Sequence, residues 1–320
     1  MKRYNSFGSF VRRVLGGRVF KVNIDAGFTC PNRDGALGVG GCIYCNNDSF
    51  RPSSCKPSLS IGEQVARGIG YLRQRYGAER FIAYFQPFTN TYGPVDALER
   101  LYSEALEDPA VIGLAIGTRP DCIDDEKLSL LARFSETHFV LVEYGLQSVY
   151  DKSLRFINRG HDYSAFLLAV EKTKQYGLHA GAHVIVGLPT ETREETLSMA
   201  EEVSGTGIGF LKIHQLQVVR DTALAGLYER EPFHVFGYEE YLDFLVEFLE
   251  RLSPEIVVQR LFATAPDDIL IAPKWGRSRH EILRDIEARL ALRDATQGRL
   301  CGARSPYQTA NSLFRFSSSP

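Results

Sequence analysis

Long apolar runs are missing from this sequence: nothing approaches the ~18 consecutive residues that a membrane-spanning helix needs, and no membrane association is expected. The opening Met1-Lys2-Arg3-Tyr4-Asn5 is basic, yet it lacks the apolar core of ~7–15 residues that follows in a secretory signal. An excess of either charge is missing too. With 37 Lys and Arg against 39 Asp and Glu, the formal net charge is -2. No global positive field therefore exists to gather nucleic acid, and only a local basic patch could do so. Cysteine is scarce: six in 320 residues do not make a disulfide framework in a chain of this size. Three of them lie between positions 30 and 45, Cys55 follows, and Cys122 and Cys301 are scattered. A reduced, cytoplasmic protein is the expectation.

What the sequence does contain is a repeated strand-then-helix pattern. Phe7, Phe10, Val11, Val14 and Leu15 recur at helical spacing, so a short amphipathic helix opens the chain and Gly16-Gly17 ends it. Phe20, Val22 and Ile24 alternate with Lys21, Asn23 and Asp25, the pattern of a first strand. Ser60-Ile61-Gly62-Glu63 is a capping box that opens the next helix. Further strands are expected at 80–86, 111–117, 138–146, 179–187, 208–218 and 255–260. The helices between them start at Pro94, at the cap Asp124, near 149 and 162, and at the box Thr192-Arg193-Glu194-Glu195. One more carries Tyr241, Leu245 and Phe248, and a last one spans 278–293. Six βα units in succession predict a parallel sheet with right-handed crossovers, either an open doubly wound sheet or a barrel. One domain is the simplest account, and the tail after Leu300, which lacks periodicity, is expected to be disordered.

The chemistry concentrates in one loop. Cys30, Cys42 and Cys45 follow the first strand with spacing C-x11-C-x2-C, in a stretch rich in Gly, Asn and Asp. Unrelated core thiols would sit among apolar residues, which this loop does not offer. Three thiolates suit an iron–sulfur cluster or zinc. Zinc would ask for a fourth ligand, for which Cys55 is the candidate, although Arg51-Pro52-Ser53-Ser54-Cys55-Lys56-Pro57 shows no turn that would bring it back. Three ligands alone would leave one iron of a [4Fe–4S] cluster open.

These residues resemble the radical S-adenosylmethionine superfamily, and within it the Elp3-like group, closest to the YhcC/YtqA-like bacterial proteins. The wide cysteine spacing is shared with that group. So are Asp25-Ala26-Gly27-Phe28-Thr29-Cys30-Pro31-Asn32-Arg33-Asp34-Gly35, Gly117-Thr118-Arg119-Pro120-Asp121, Glu143-Tyr144-Gly145-Leu146-Gln147-Ser148 and Gly187-Leu188-Pro189-Thr190-Glu191-Thr192. The resemblance implies an α/β fold, a partial (β/α)6 barrel with a short N-terminal helix and a C-terminal helical extension. The core domain would be 1–275, with a cluster loop at 26–50, followed by a helix and tail at 276–320. It further implies a [4Fe–4S] cluster on Cys30, Cys42 and Cys45 and S-adenosylmethionine on its open iron, with active residues at the carboxyl ends of the strands. Reductive cleavage would then give a 5′-deoxyadenosyl radical, fed by a flavodoxin-type or other reductase.

Individual positions acquire roles in the same way. The resemblance puts Glu143 on the ribose hydroxyls; a glutamate satisfied by a neighbouring lysine or arginine is the plainer alternative. Gly145 leaves room for a ligand, Gln147 offers amide contacts, and Gly187 permits close approach to an adenine. Relatives carry a Gly-Gly-Glu-type segment where this chain has Gln86-Pro87-Phe88-Thr89-Asn90, which leaves Gln86 and Thr89 as substitute contacts for the methionine amino group. The catalytic candidates are Arg119, which could meet a carboxylate or phosphate, and His214 and Arg260. His183, His214 and Gln217 are expected in the barrel interior, and Arg260 with Pro273-Lys274-Trp275 near its open edge. Lys2, Arg3, Arg12, Arg13 and Arg18 form a basic cluster that could touch phosphates, with a solvated helix face as the plainer reading. The Elp3 likeness implies carbon 5 of a tRNA wobble uridine as the substrate position. A small metabolite is the alternative substrate, and a non-catalytic zinc module binding RNA or protein is the alternative of another class.

Overall fold

Strands buried on both faces must be covered on both, and that requirement arranges this chain. The computed structural model describes residues 2–46 and 57–301. Seven strands form one parallel sheet in the order β1 (Val19–Ile24), β2 (Arg80–Phe85), β3 (Val111–Thr118), β4 (Phe139–Gln147), β5 (His179–Val186), β6 (Phe210–Gln215) and β8 (Val257–Arg260). The crossovers carry α2 (Ile61–Tyr76), α3 (Val95–Ala105), α4 (Asp125–Ser135), α5 (Asp151–Phe156), α6 (Tyr163–Gln175), α7 (Arg193–Gly205) and α9 (Tyr238–Arg251). The sheet curls into the partial barrel that the motif order implied. Its main core lies between strands and helices, where Val22, Phe85, Ile116, Val142, Val184 and Ile213 meet Val65, Leu98, Leu131, Phe166, Leu197 and Phe248.

The inner face has a second core. α1 (Phe7–Val14) plugs the barrel floor: Phe10, Val11 and Leu15 pack with Ile82, Ala115, Phe139, Leu141, Phe210 and Val257. Phe10 meets Phe210 edge-on, with centroids 5.0 Å apart. The barrel remains open between β1 and β8, the two ends of the sheet, where Lys21 Nζ donates to Gln259 Oε1 at 2.6 Å. No helix among the described residues is long and apolar enough to cross a membrane.

Local signals placed the helix starts well. Capping boxes form at Ser60/Glu63 and Thr192/Glu195, and the Asp124 side chain accepts from Lys127 N. Pro94 is a correction: its ψ of 143° is extended, so it caps α3 and Val95 begins it. The strand expected through 218 stops at Gln215. Its neighbour β8 ends at Arg260, and Val218–Val219 (β7) instead pairs antiparallel with Leu270–Ala272 (β9). Between β7 and α9 the chain also forms α8 (Ala223–Arg230), which periodicity did not reveal. The chain continues through α10 (Arg279–Leu292); Cys55 and the tail expected to be disordered lie outside the described residues, apart from Cys301.

Candidate active site

At the carboxyl ends of the strands lies a cavity of about 190 Å³, lined on one side by Cys30, Cys42 and Cys45. The loop bearing them is built from tight turns. Arg33 N and Asp34 N donate to Cys30 O, Leu37 N and Gly38 N to Pro31 O, and Cys45 N to Cys42 O. It is then tied to the connection between α5 and α6: Ile43 N donates to Ile157 O, Asn158 Nδ2 to Gly41 O and Asn32 Nδ2 to Asn158 O. Gly41 has φ +83°, and a Cβ there would lie 2.8 Å from the Arg33 side chain, so the chain can pass only as glycine.

The sulfur of Cys42 has two donors. Asn32 Nδ2 and Arg159 Nη1 each lie 3.7 Å from it. Arg159 is 6% exposed and is locked by two further bonds to Gly145 O. Burial, and next the charge of Cys42, push the Cys45 thiol up to about 11 against the pull of Arg33 and Arg159. Among the described residues, no three His, Cys, Asp or Glu side chains surround a point as a single metal ion requires.

Gln86, Thr89, Glu143 and Gln147 all line this cavity. Thr89 is 1% exposed, and its Oγ1 is a buried atom with no hydrogen-bond partner, as is Oε1 of Gln217, which also lines the cavity. Unpaired buried polar atoms are costly, so these two ask for a polar ligand. Backbone strain points to the same place: Phe88 (φ 63°) and Gln147 (φ 74°), both at the cavity, occupy the left-handed region that such residues avoid.

Gly187 is not brought to the cavity lining. Its φ is +84°, and a Cβ there would lie 2.7 Å from the Phe236 ring. Gly187→Ala is accordingly expected to lower stability by about 1–3 kcal/mol in thermal unfolding. Wild-type stability together with a raised KM for S-adenosylmethionine would instead reveal an adenine contact.

Beneath the cavity lies a charged layer that strand alternation did not disclose. Glu143 is fully buried. Its Oε1 accepts from Lys21 Nζ at 2.7 Å, and its Oε2 accepts from Lys212 Nζ at 2.5 Å and faces His183 Nε2 at 3.1 Å. Lys212 also donates to the Tyr84 hydroxyl at 2.7 Å. Burial would raise the Glu143 carboxyl, but Lys21, Lys212 and His183 hold it well below the ordinary carboxylate range. Burial, with Lys212 beside it, lowers His183 to about 4, so its ring is neutral at pH 7. Glu143 thus carries the lysine pairing expected as the plainer alternative.

Of the catalytic candidates, His214 and Arg260 are brought together, with Nε2 and Nη1 3.5 Å apart, beside His183. Burial and Arg260 hold His214 well below its ordinary value. Arg119 also lines the cavity, and it does meet a carboxylate, that of Asp121. It is 2% exposed, forms a bidentate pair with Asp121 at 2.9 and 2.7 Å, and donates to Arg159 O. One donor, Nη1, thus holds the Cys42-facing arginine, and Nε and Nη2 are given to Asp121. Trp275 is likewise packed, its indole donating to Phe236 O and its ring against Tyr241, rather than offered to a substrate.

Comparison with known proteins agrees with this site. The profile of the Radical SAM superfamily matches residues 30–203, and that of the Radical SAM C-terminal domain matches 208–291. Protein YhcC of Escherichia coli (strain K12) is 37% identical over 279 residues, covering 87% of this chain and 89% of its own. The tRNA uridine(34) acetyltransferase of Methanocaldococcus infernus is 25% identical over 191 residues, which is 55% of this chain but 35% of that protein. The solved structure of the archaeal Methanocaldococcus infernus Elp3 with an N-terminal deletion superposes with a TM-score of 0.68 at 16% identity, covering 87% of this chain and 64% of that one. A cysteine-lined cavity at the strand ends of a partial barrel, a family profile over more than half the chain and a full-length relative above one-third identity agree: the chain belongs to the radical SAM superfamily.

Proposed function

We propose that this protein is a [4Fe–4S] radical SAM enzyme that modifies the carbon 5 side chain of a tRNA wobble uridine. Superfamily membership implies the cluster and S-adenosylmethionine. The convergence of Cys30, Cys42 and Cys45 on the cavity, with two N–H donors on the Cys42 sulfur, carries the ligand assignment. When bound, the cluster supplies the electron that cleaves S-adenosylmethionine to methionine and a 5′-deoxyadenosyl radical, a hydrogen-abstracting species. In this reading Arg159 and Asn32 hold Cys42 in place. Thr89 Oγ1 and Gln86 take the methionine end, Gln147 takes the nucleoside, and the neutral His214 with Arg260 faces the substrate. Glu143 supports the nucleoside side from beneath. A flavodoxin-type donor in the cytoplasm supplies electrons.

The uridine assignment rests on the similarity to the tRNA uridine(34) acetyltransferase, which covers 55% of this chain and 35% of that protein. Anaerobically purified protein should contain roughly four irons, bleach on dithionite reduction and release 5′-deoxyadenosine from S-adenosylmethionine. A colourless protein holding one zinc would sink the enzyme reading. The substrate reading is checked separately: nucleosides from the tRNA of a deletion strain, measured by mass spectrometry, should accumulate an unfinished wobble uridine. An unchanged profile would reject it in favour of a small-molecule substrate.

A further inference from the structure

Charge in this balanced protein is unevenly placed. From Met1 to Ile24 the sequence has Lys2, Arg3, Arg12, Arg13, Arg18 and Lys21 and no carboxylate; from Gln64 to Arg80 it has Arg67, Arg73, Arg75 and Arg80 against Glu79 alone. The fold puts these two segments side by side, because α2 packs over β1 and the Arg80 guanidinium donates to Leu15 O. Where they meet, arginines alternate with rings. The Arg18 guanidinium lies 5.3 Å from the Phe20 ring, Phe20 stacks on Tyr76 at 5.5 Å and 16°, and Arg75 lies 6.0 Å from Tyr76. Tyr76 is 47% exposed, and Arg18 and Arg75 are exposed.

Lys2 and Arg3 are paired with Glu287 and Asp294. No carboxylate of the described residues lies within ion-pair distance of Arg18, Arg73 or Arg75, although surface arginines elsewhere, such as Arg100 and Arg133, are paired. The strip flanks the open side of the barrel. Phe20 precedes Lys21, which bonds to Gln259 next to the cavity residue Arg260. A basic, ring-bearing strip therefore borders the open edge of the barrel at the amino end of β1.

We propose that this Arg18–Phe20–Tyr76–Arg75 strip is an RNA-docking surface that holds the phosphate backbone flanking the nucleotide in the cavity. This proposal rests on the tRNA reading above and adds where the RNA lies. Unpaired guanidiniums supply phosphate contacts, and an exposed tyrosine between them offers a face on which an unpaired base can stack. A solvated arginine face needs no such alternation.

The test uses the reconstituted holoenzyme and fluorescently labelled tRNA from the deletion strain, followed by anisotropy. For Arg18→Ala/Arg75→Ala, Kd should rise at least about tenfold near 0.1 M salt, and the slope of log K against log salt should shrink by roughly 1.5–2. Tyr76→Ala should weaken binding at least about fivefold with the salt slope retained. Thermal unfolding and 5′-deoxyadenosine release without RNA should stay as in the wild type. Wild-type affinity and slope in the double variant would overturn the docking surface while leaving the tRNA reading standing. Failure of the wild type to bind tRNA would remove both. Displacement of the tRNA by an equal charge of polyglutamate would overturn the RNA assignment in favour of an acidic protein.

Discussion

Purified without oxygen, Cys42→Ala is expected to lose the brown colour and to fall from roughly four irons per chain to under one, with 5′-deoxyadenosine release lost with it. Cys30→Ala and Cys45→Ala should behave alike. The reason is geometric: each thiol serves the same cavity from a separate point of a loop fixed by its own turns, so no neighbour can stand in. Cys122→Ala and Cys301→Ala should retain wild-type iron. Cys122 sits beside Asp121, which pairs with Arg119, and it does not line the cavity. Iron content and the electron paramagnetic resonance signal of the reduced protein decide the matter. If Cys42→Ala kept the iron while Cys122→Ala lost it, the ligand set proposed here would be wrong.

The second large effect concerns Glu143. Removing its carboxylate in Glu143→Ala leaves two buried ammonium groups facing each other, and breaking a buried pair of this kind costs about 3–5 kcal/mol. Denaturant unfolding should show that loss near pH 7. The sign with pH follows from the direction of the shift. The Glu143 carboxyl is held below its ordinary 4.5 in the fold, so its stabilisation is present above that value and disappears as pH falls through the lower folded one. Wild type and variant should therefore converge in acid. Glu143→Ala/Lys212→Met, which removes one of the stranded charges, should recover part of the stability. If Glu143 served the ribose alone, the outcome would be different: near-normal unfolding and a raised KM for S-adenosylmethionine.

What could be read without coordinates was whatever is written locally. Ligand spacing is local, so Cys30, Cys42 and Cys45 stood out. Caps are local, so Ser60, Asp124 and Thr192 located helix starts that the fold retains. The charged layer was hidden because alternation tells that Lys21 faces away from Phe20 and Val22 but not what lies on that side. Curling the sheet turned the polar face of β1 into an interior, and Lys21 met Glu143 from far along the chain. Lys212, within the apolar run Phe210-Leu211-Lys212-Ile213, carried the one available signal, a lone cation where both faces are buried. Arg159 had no signal at all. It belongs to the short irregular stretch between α5 and α6, and only the folded loop shows it reaching the Cys42 sulfur. For Gly187, the need for glycine was legible and its cause was not, since Phe236 arrives from a later crossover.

The floor plug also sets an order of events during synthesis. Val258 N donates to Asn5 O, Asn5 N to the Gln297 side chain, and Gln297 N to Arg3 O, so the opening residues are clasped by some of the last described ones. A ribosome delivers the α1 residues early and the strand that holds them late. In the interval Phe10 and Val11 have no finished barrel to enter, and the emerging sheet keeps a bare inner face. Pairings this distant in sequence slow folding and lengthen the exposure of apolar surface. The seating of α1 thus waits until Val258 and the residues around it have been made.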